Sequence, residues 1–376
     1  MTKAREKLAK GKRIDVGLDV HKKTWSVCVL CEGEELYNAM LPADVERLVS
    51  LLKRFGAREV HTVFEAGPTG FGLHDALQAA GFDSMVTPPS LVPKTGGRVK
   101  TDRRDGRKLA TMMASGFLHR VHVLSPKERA ERQLSRTRGQ MERHRCQAMN
   151  QIKSLLLMHG IRAPESLREH WRTPHLNWLR TVPCEFPEIR VALDALLALY
   201  DHADGQVREF NARLEELARS DAYRDRVRVL TKIPGIAILT AIVILLELQD
   251  VERFRRAEEL SSYLGLTPVQ HSSGEKTRLG RITHCGNATV RTRLVQSAWV
   301  QIRFDPEARA TFDRIKSRTG SGKKAVTAIA RCLGLRVRRA LLDLAPPVPS
   351  AASRSAADQP KGRAVKHYVL KRKEQL

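Results

Sequence analysis

Acidic residues stand at three places where a chain of alternating strands and helices presents side chains to a ligand. One apolar run ends in Val16-Gly17-Leu18-Asp19 and another in Thr62-Val63-Phe64-Glu65; a third acidic element reads Lys100-Thr101-Asp102-Arg103-Arg104-Asp105. Strand ends are where an α/β sheet offers groups to a substrate, and Asp19 and Glu65 both follow strands there. Asp102 and Asp105 are spaced to share one face at a helix start. Carboxylates that converge repel one another unless a cation sits among them. Hard oxygen donors of this kind suit Mg²⁺ or Mn²⁺, ions that organise attack and departure at a phosphodiester. Singly, each acid reads as a helix cap or a surface group. Jointly, Asp19, Glu65, Asp102 and Asp105 read as a metal-binding set. Period-two alternation puts Asp15 on the same strand face as Gly17 and Asp19, but only Asp19 lies at the strand end.

A second chemical feature is the polar, basic, loop-like segment Thr267-Pro268-Val269-Gln270-His271-Ser272-Ser273-Gly274-Glu275-Lys276-Thr277-Arg278. A Ser-Ser-Gly loop by itself is a turn. A serine hydroxyl attacks poorly unless a base, a metal or a positive field eases formation of the alkoxide. His271, Lys276, Arg278, Arg281 and His284 are such groups nearby in sequence. Other motifs carry less. Thr319-Gly320-Ser321-Gly322-Lys323-Lys324 lacks the first glycine and the final Ser or Thr of a phosphate loop, and reads as a basic turn. Ile233-Pro234-Gly235-Ile236 reads either as a hairpin offering amides to phosphate or as a plain capping turn. Cys28 and Cys31 fall in an apolar run and read as buried strand. The histidines show no paired spacing with cysteine that would point to zinc.

The elements that must position these groups begin after a basic lead-in, residues 1–12. Strands are expected at 13–18, 24–30 and 35–41, then a helix at 45–55 with Asp44 as its N-cap and Gly56 past its end. A strand at 59–64, a helix at 70–80, a short strand at 83–87 and a helix at 104–117 follow. This order gives an antiparallel meander and then right-handed crossover units, a mixed α/β domain over 13–124. From 125 the pattern becomes helical. Long polar-faced helices at 127–158 and 188–219 predict a helical hairpin or coiled coil within 125–222, serving either dimerisation or packing on the chain's own domain. The third region, 223–344, carries an apolar helix at 237–248. Beyond it, 345–376 is Pro-, Ser- and Ala-rich with a basic end, which reads as a disordered tail.

Composition narrows the partners. The chain has 376 residues, with 66 Lys and Arg against 41 Asp and Glu, a formal charge of +25. Such a surplus, spread along the chain, suits many phosphate contacts and points to nucleic acid over a membrane surface. No apolar run is long enough to span a bilayer, and no signal-like apolar core follows the basic start. The expected setting is intracellular and cytoplasmic, nucleoid-associated when on DNA. Aromatics are 5% of the chain, too few to argue a base-stacking platform.

Gly17-Leu18-Asp19, Phe64-Glu65-Ala66 and Lys100-Thr101-Asp102 with Asp105 resemble the Asp-Glu-Asp-Asp pattern of the IS-one-ten and IS-eleven-eleven transposases, also called bridge-RNA-guided recombinases. The second half is similar to the same family's C-terminal transposase domain: Ile233-Pro234-Gly235, Tyr263-Leu264-Gly265-Leu266-Thr267-Pro268, Ser273-Gly274, and Gly286-Asn287 with Arg291 and Leu294. The resemblance covers roughly residues 13–340. Gly67-Pro68-Thr69-Gly70, Ala237 and the long tail depart from the usual pattern. The resemblance implies an RNase H-like (RuvC-like) N-terminal domain and a mainly α-helical C-terminal domain. It implies that Ser273, and not the adjacent Ser272, attacks a DNA phosphate and joins the protein to the strand. It further implies donor and target double-stranded DNA, a guide (bridge) RNA, and a dimer or tetramer in which the acids of one protomer work with the serine of another. Two rivals share parts of this pattern: a metal-dependent nuclease or junction resolvase that uses water, and a non-catalytic nucleic-acid-binding scaffold.

Overall fold

The computed structural model describes residues 7–93, 102–167, 171–273 and 276–344, without the side chains of 102–103, 271–273 and 276–279. The tail expected at 345–376 and part of the basic lead-in lie outside the described residues. The chain divides at Ser125/Pro126 into two compact units.

The N-terminal unit is a five-stranded mixed sheet in the order β3-β2-β1-β4-β5. Its strands are β1 (Arg13–Val20), β2 (Thr24–Cys31), β3 (Glu34–Pro42), β4 (Glu59–Glu65) and β5 (Asp83–Thr87). β1, β2 and β3 pair antiparallel, and β4 and β5 continue parallel to β1. Helices α1 (Val45–Arg54), α2 (Gly70–Ala79) and α3 (Asp102–Ala114) complete the unit. The Asp44 side chain accepts from the Arg47 amide and so starts α1, as its position before an apolar repeat predicts. Ile14, Val16 and Leu18 alternate onto one sheet face and pack with Leu48, Leu52 and Phe64. The opposite face receives α3. Cys28 and Cys31 are buried in β2, as expected of a strand interior.

The C-terminal unit is helical apart from one hairpin. Its helices are α4 (Pro126–Met158), α5 (Thr173–Thr181), α6 (Pro187–Arg219), α7 (Arg224–Thr231), α8 (Ile238–Leu248), α9 (Ala257–Tyr263), α10 (Ala288–Phe304), α11 (Pro306–Thr319) and α12 (Gly322–Leu344). α4 and α6 run antiparallel along one another, tied by Arg138 to Asn211 (2.9 Å) and Arg145 to Asp204 (2.8 Å). Ile152, Leu156, Leu193 and Leu197 pack at their far end. Leu214 and Ala218 of α6 belong to the core that α8, α10 and α12 build. α8 is buried over its length after the first turn, which its apolar run anticipates. The phosphate-loop lookalike is the corner between α11 and α12, where Gly320 (φ 66°) ends α11 in the left-handed region. Gly235 (φ 89°) lies so close to α10 that an added Cβ would sit 2.5 Å from the Ser297 carbonyl oxygen. That turn is therefore covered by a helix on the glycine side. No helix among the described residues is long and apolar enough to cross a membrane.

The loop expected across 267–278 is instead an antiparallel hairpin, β6 (Pro268–Ser273) and β7 (Lys276–Ile282). The segment lacks apolar alternation because the pairing is made by backbone groups, and these carry no sequence signal.

Candidate active site

Asp19 and Glu65 are brought together by strand register. Leu18 pairs with Phe64 across the parallel β1–β4 ladder, so the next residues along, Asp19 and Glu65, end neighbouring strands. They also share a face. Val63 packs with Leu109 and Met113 of α3, and Gly17 lies directly beneath α3, so Glu65 and Asp19, two residues further on, face the same way. Asp19 is half-buried with its carboxylate 3.3 Å from the His21 ring, and Glu65 is exposed.

α3 supplies the other acids. Gly106 rests against Ser26, the partner of Asp19 in the β1–β2 ladder, while Ala110 packs with Cys28 and Leu30, the partners of Gly17 and Asp15. The helix thus runs antiparallel to β1, and its first turn, with Asp102 and Asp105, begins at the end of the sheet where Asp19 and Glu65 stand. The close approach depends on two glycines that sequence reasoning passed over. A Cβ on Gly17 would lie 1.9 Å from the Gly106 carbonyl oxygen and 2.5 Å from the Ala110 amide nitrogen. Asp105 is half-buried, and the Asp102 side chain lies outside the described residues. Among the described residues, no three His, Cys, Asp or Glu side chains form a ready-made cation cage. The donor set is carboxylate oxygen at the C-terminal ends of β1 and β4, chemistry that fits a divalent cation such as Mg²⁺ or Mn²⁺.

In the other unit, Ser273 is the last residue of β6 and pairs with Lys276, leaving Gly274 and Glu275 between the strands. The side chains of His271, Ser272, Ser273, Lys276 and Arg278 lie outside the described residues. The stem of the hairpin is fixed from both sides. The Asn287 amide donates to the Tyr263 carbonyl (2.8 Å) and the Thr283 amide to that of Thr267 (2.9 Å). The Arg291 guanidinium donates to the Leu264 carbonyl (2.8 Å). Gly265 (φ 63°) and Gly286 (φ 90°) interlock, since a Cβ on either would sit 2.1 Å from a carbonyl oxygen of the other segment.

Behind this stem is a charged group not singled out from the sequence, Glu247. It is a lone acid in the apolar α8, and its side chain is wholly buried. Its carboxylate accepts from Arg136 (2.9 and 3.0 Å) and from Asn287 Nδ2 (2.8 Å). Burial pushes its pKa up, but the hydrogen bonds from Arg136 and Asn287 outweigh it and hold the carboxyl below its ordinary range. An acid inside an apolar run is the signal that marks it.

Two family models match the chain, one spanning the acids and one spanning the hairpin. A transposase model named for its DEDD residues and the IS110 group matches residues 16–160, and a model described as the transposase IS116/IS110/IS902 family matches residues 227–313. The y4qE protein of Sinorhizobium fredii, named as a transposase, is 32% identical over 77% of this chain and 72% of its own length. The chain belongs to the IS110/IS1111 family of DEDD transposases. Similarity extends to the transposase for insertion sequence element IS1533 of Leptospira borgpetersenii, 24% identical over 89% of this chain and 97% of that one. It extends also to the transposase for insertion sequence element IS1111A of Coxiella burnetii, 24% identical over 77% and 78%. The protein is a DNA transposase of an insertion sequence. Its mixed sheet is the RNase H-like DEDD domain, followed by a mostly helical C-terminal unit.

Proposed function

We propose that this transposase cuts and rejoins donor and target DNA through Ser273, assisted by a divalent cation held by Asp19, Glu65, Asp102 and Asp105, with a bridge RNA selecting the DNA. The observation that carries the acid set is the shared end of β1, β4 and α3, where register and helix direction gather all four acidic positions. A divalent cation at those oxygens supplies positive charge to a phosphate's non-bridging oxygens. Asp19, near the C-terminal end of the central strand and half-buried, orients its oxygens through the rigid ladder, and α3 carries Asp105 over the glycine contact.

The serine step balances without an external energy source. Ser273 Oγ gives up its proton and bonds to phosphorus as one bond from phosphorus to a sugar oxygen breaks, and the departing sugar oxygen takes up a proton. Attack by a sugar hydroxyl of another DNA end reverses this, restores the serine and reseals the backbone. The interlocked stem around Gly265 and Gly286 supports the role of the hairpin, because it holds the strand that ends in Ser273. The family resemblance supports the guide RNA and an assembly, dimer or tetramer, in which acids and serine come from different protomers. It also supports reading the α4–α6 hairpin as a coiled-coil assembly element.

Cleavage and joining of DNA carrying the element's ends, with co-purifying RNA retained, tests the reading. Asp19→Asn, Glu65→Gln, Asp105→Asn and Ser273→Ala should each lower both reactions about 10³-fold or more, with DNA affinity kept. A Ser273→Ala protein that still cuts while Asp19→Asn does not would identify a water-using nuclease instead. Sequencing the RNA bound to the purified protein tests the guide.

A further inference from the structure

Between α4 and the start of α10 runs a groove of about 560 Å³ with Val243 of α8 in its wall. Arg138 and Arg143 line it from α4, and Thr289, Thr292 and Arg293 from α10. Arg293 forms no salt bridge among the described residues, and burial, with Arg138 close by, holds its guanidinium below its ordinary pKa. The acid in the groove, Glu142, has one carboxylate oxygen on Arg145 (2.7 Å), and the other lies 3.4 Å from Arg138 with no hydrogen bond among the described residues. The Ser135 hydroxyl, on the groove wall in a residue only 4% exposed, has no hydrogen-bond partner among the described residues. At the same end, the Asn287 side chain caps Val290, and the amides of Ala288 and Thr289 have no carbonyl of their own helix to bond. Arg143 and Arg293, which form no salt bridge among the described residues, the helix-start amides and the Ser135 hydroxyl share one complement in this groove, an anion with several acceptor oxygens. A groove of this volume, open to solvent, suits a chain of phosphates more than one small ion.

We propose that this groove binds the phosphodiester backbone of the DNA on which the transposase acts, with Arg143 and Arg293 on successive phosphates and the α10 amides on one of them. The groove's lining includes none of the acids and not Ser273, so the proposal stands or falls independently of the serine chemistry.

Equilibrium binding of a fluorescent random-sequence DNA duplex to the full chain, measured across a salt series, tests it. The Arg143→Gln/Arg293→Gln protein should bind more weakly. The slope of log affinity against log salt should become shallower by about 1 per arginine. Arg309→Gln/Arg314→Gln on α11, which removes the same charge outside the groove, should change the slope far less. An equal loss in that control, or an unchanged slope in the groove variant, overturns the proposal. So does a loss confined to a labelled RNA hairpin with DNA binding unchanged. Should the double variant fail to fold, Arg143→Gln/Thr292→Glu alters only exposed positions. It places a carboxylate at the groove's lip and should weaken DNA binding likewise; intact binding in that protein would also overturn the proposal.

Discussion

Glu247 is the residue on which the C-terminal unit concentrates its buried charge. The acid was visible in the sequence as a charge inside an apolar run, but its partner Arg136 lies 111 residues away, and only the packed helices show the pair. Because the folded carboxyl is held below the ordinary carboxylate value of 4.5, the contact stabilises fully above that value. The stabilisation is lost as pH falls through the lower folded-state value. Glu247→Gln should therefore melt lower than the parent at neutral pH, and the gap should close in acid. Glu247→Ala, which also strands Asn287, should cost about 3 kcal/mol, the low end for a broken buried pair because Arg136 keeps access to water. Thermal melts from pH 3 to 7 decide it, and a gap that widens in acid would contradict the assignment. The four acidic positions were more legible, since they follow from two strand ends and one helix start. The role proposed for Ser273 rests on the family motif, because a serine before glycine also describes an ordinary turn.

At the scale of elements, the strands and helices of the N-terminal unit follow their sequence signals within a few residues. β5 occupies the expected 83–87, and α1 starts behind Asp44. Alternation, caps and glycine punctuation are local, and so are the elements they specify. What was not legible is contact between elements distant in sequence. The β6–β7 hairpin has no apolar alternation, and the meeting of Gly17 with Gly106 depends on a tertiary approach. That approach yields a sharp prediction. Gly17→Ala drives a methyl group against two backbone atoms of α3, neither of which can rotate away. It should cost about 3 kcal/mol, the upper range for overpacking, and should reduce cleavage beyond the loss of folded protein, since α3 carries Asp102 and Asp105. Chemical denaturation with a cleavage assay on the folded fraction tests both parts. A Gly17→Ala protein of parental stability and activity would refute the close packing.

At the scale of the whole molecule, the acids belong to one compact unit and the serine to the other, so the proposed reaction requires groups from both. The net charge of +25 is compatible with the proposed acidic centre: the basic surface would supply DNA affinity while the acids supply chemistry. A water-using nuclease of the same fold would need the acids alone. The difference is a covalent bond. Reactions on DNA carrying the element's ends, stopped with denaturant, digested with protease and nuclease, and mapped by mass spectrometry, should yield a nucleotide-linked peptide with the modification on Ser273. The adduct should be absent from the Ser273→Ala and Asp19→Asn proteins. Efficient cutting with no protein–DNA adduct, or an adduct on Ser272, would contradict the account.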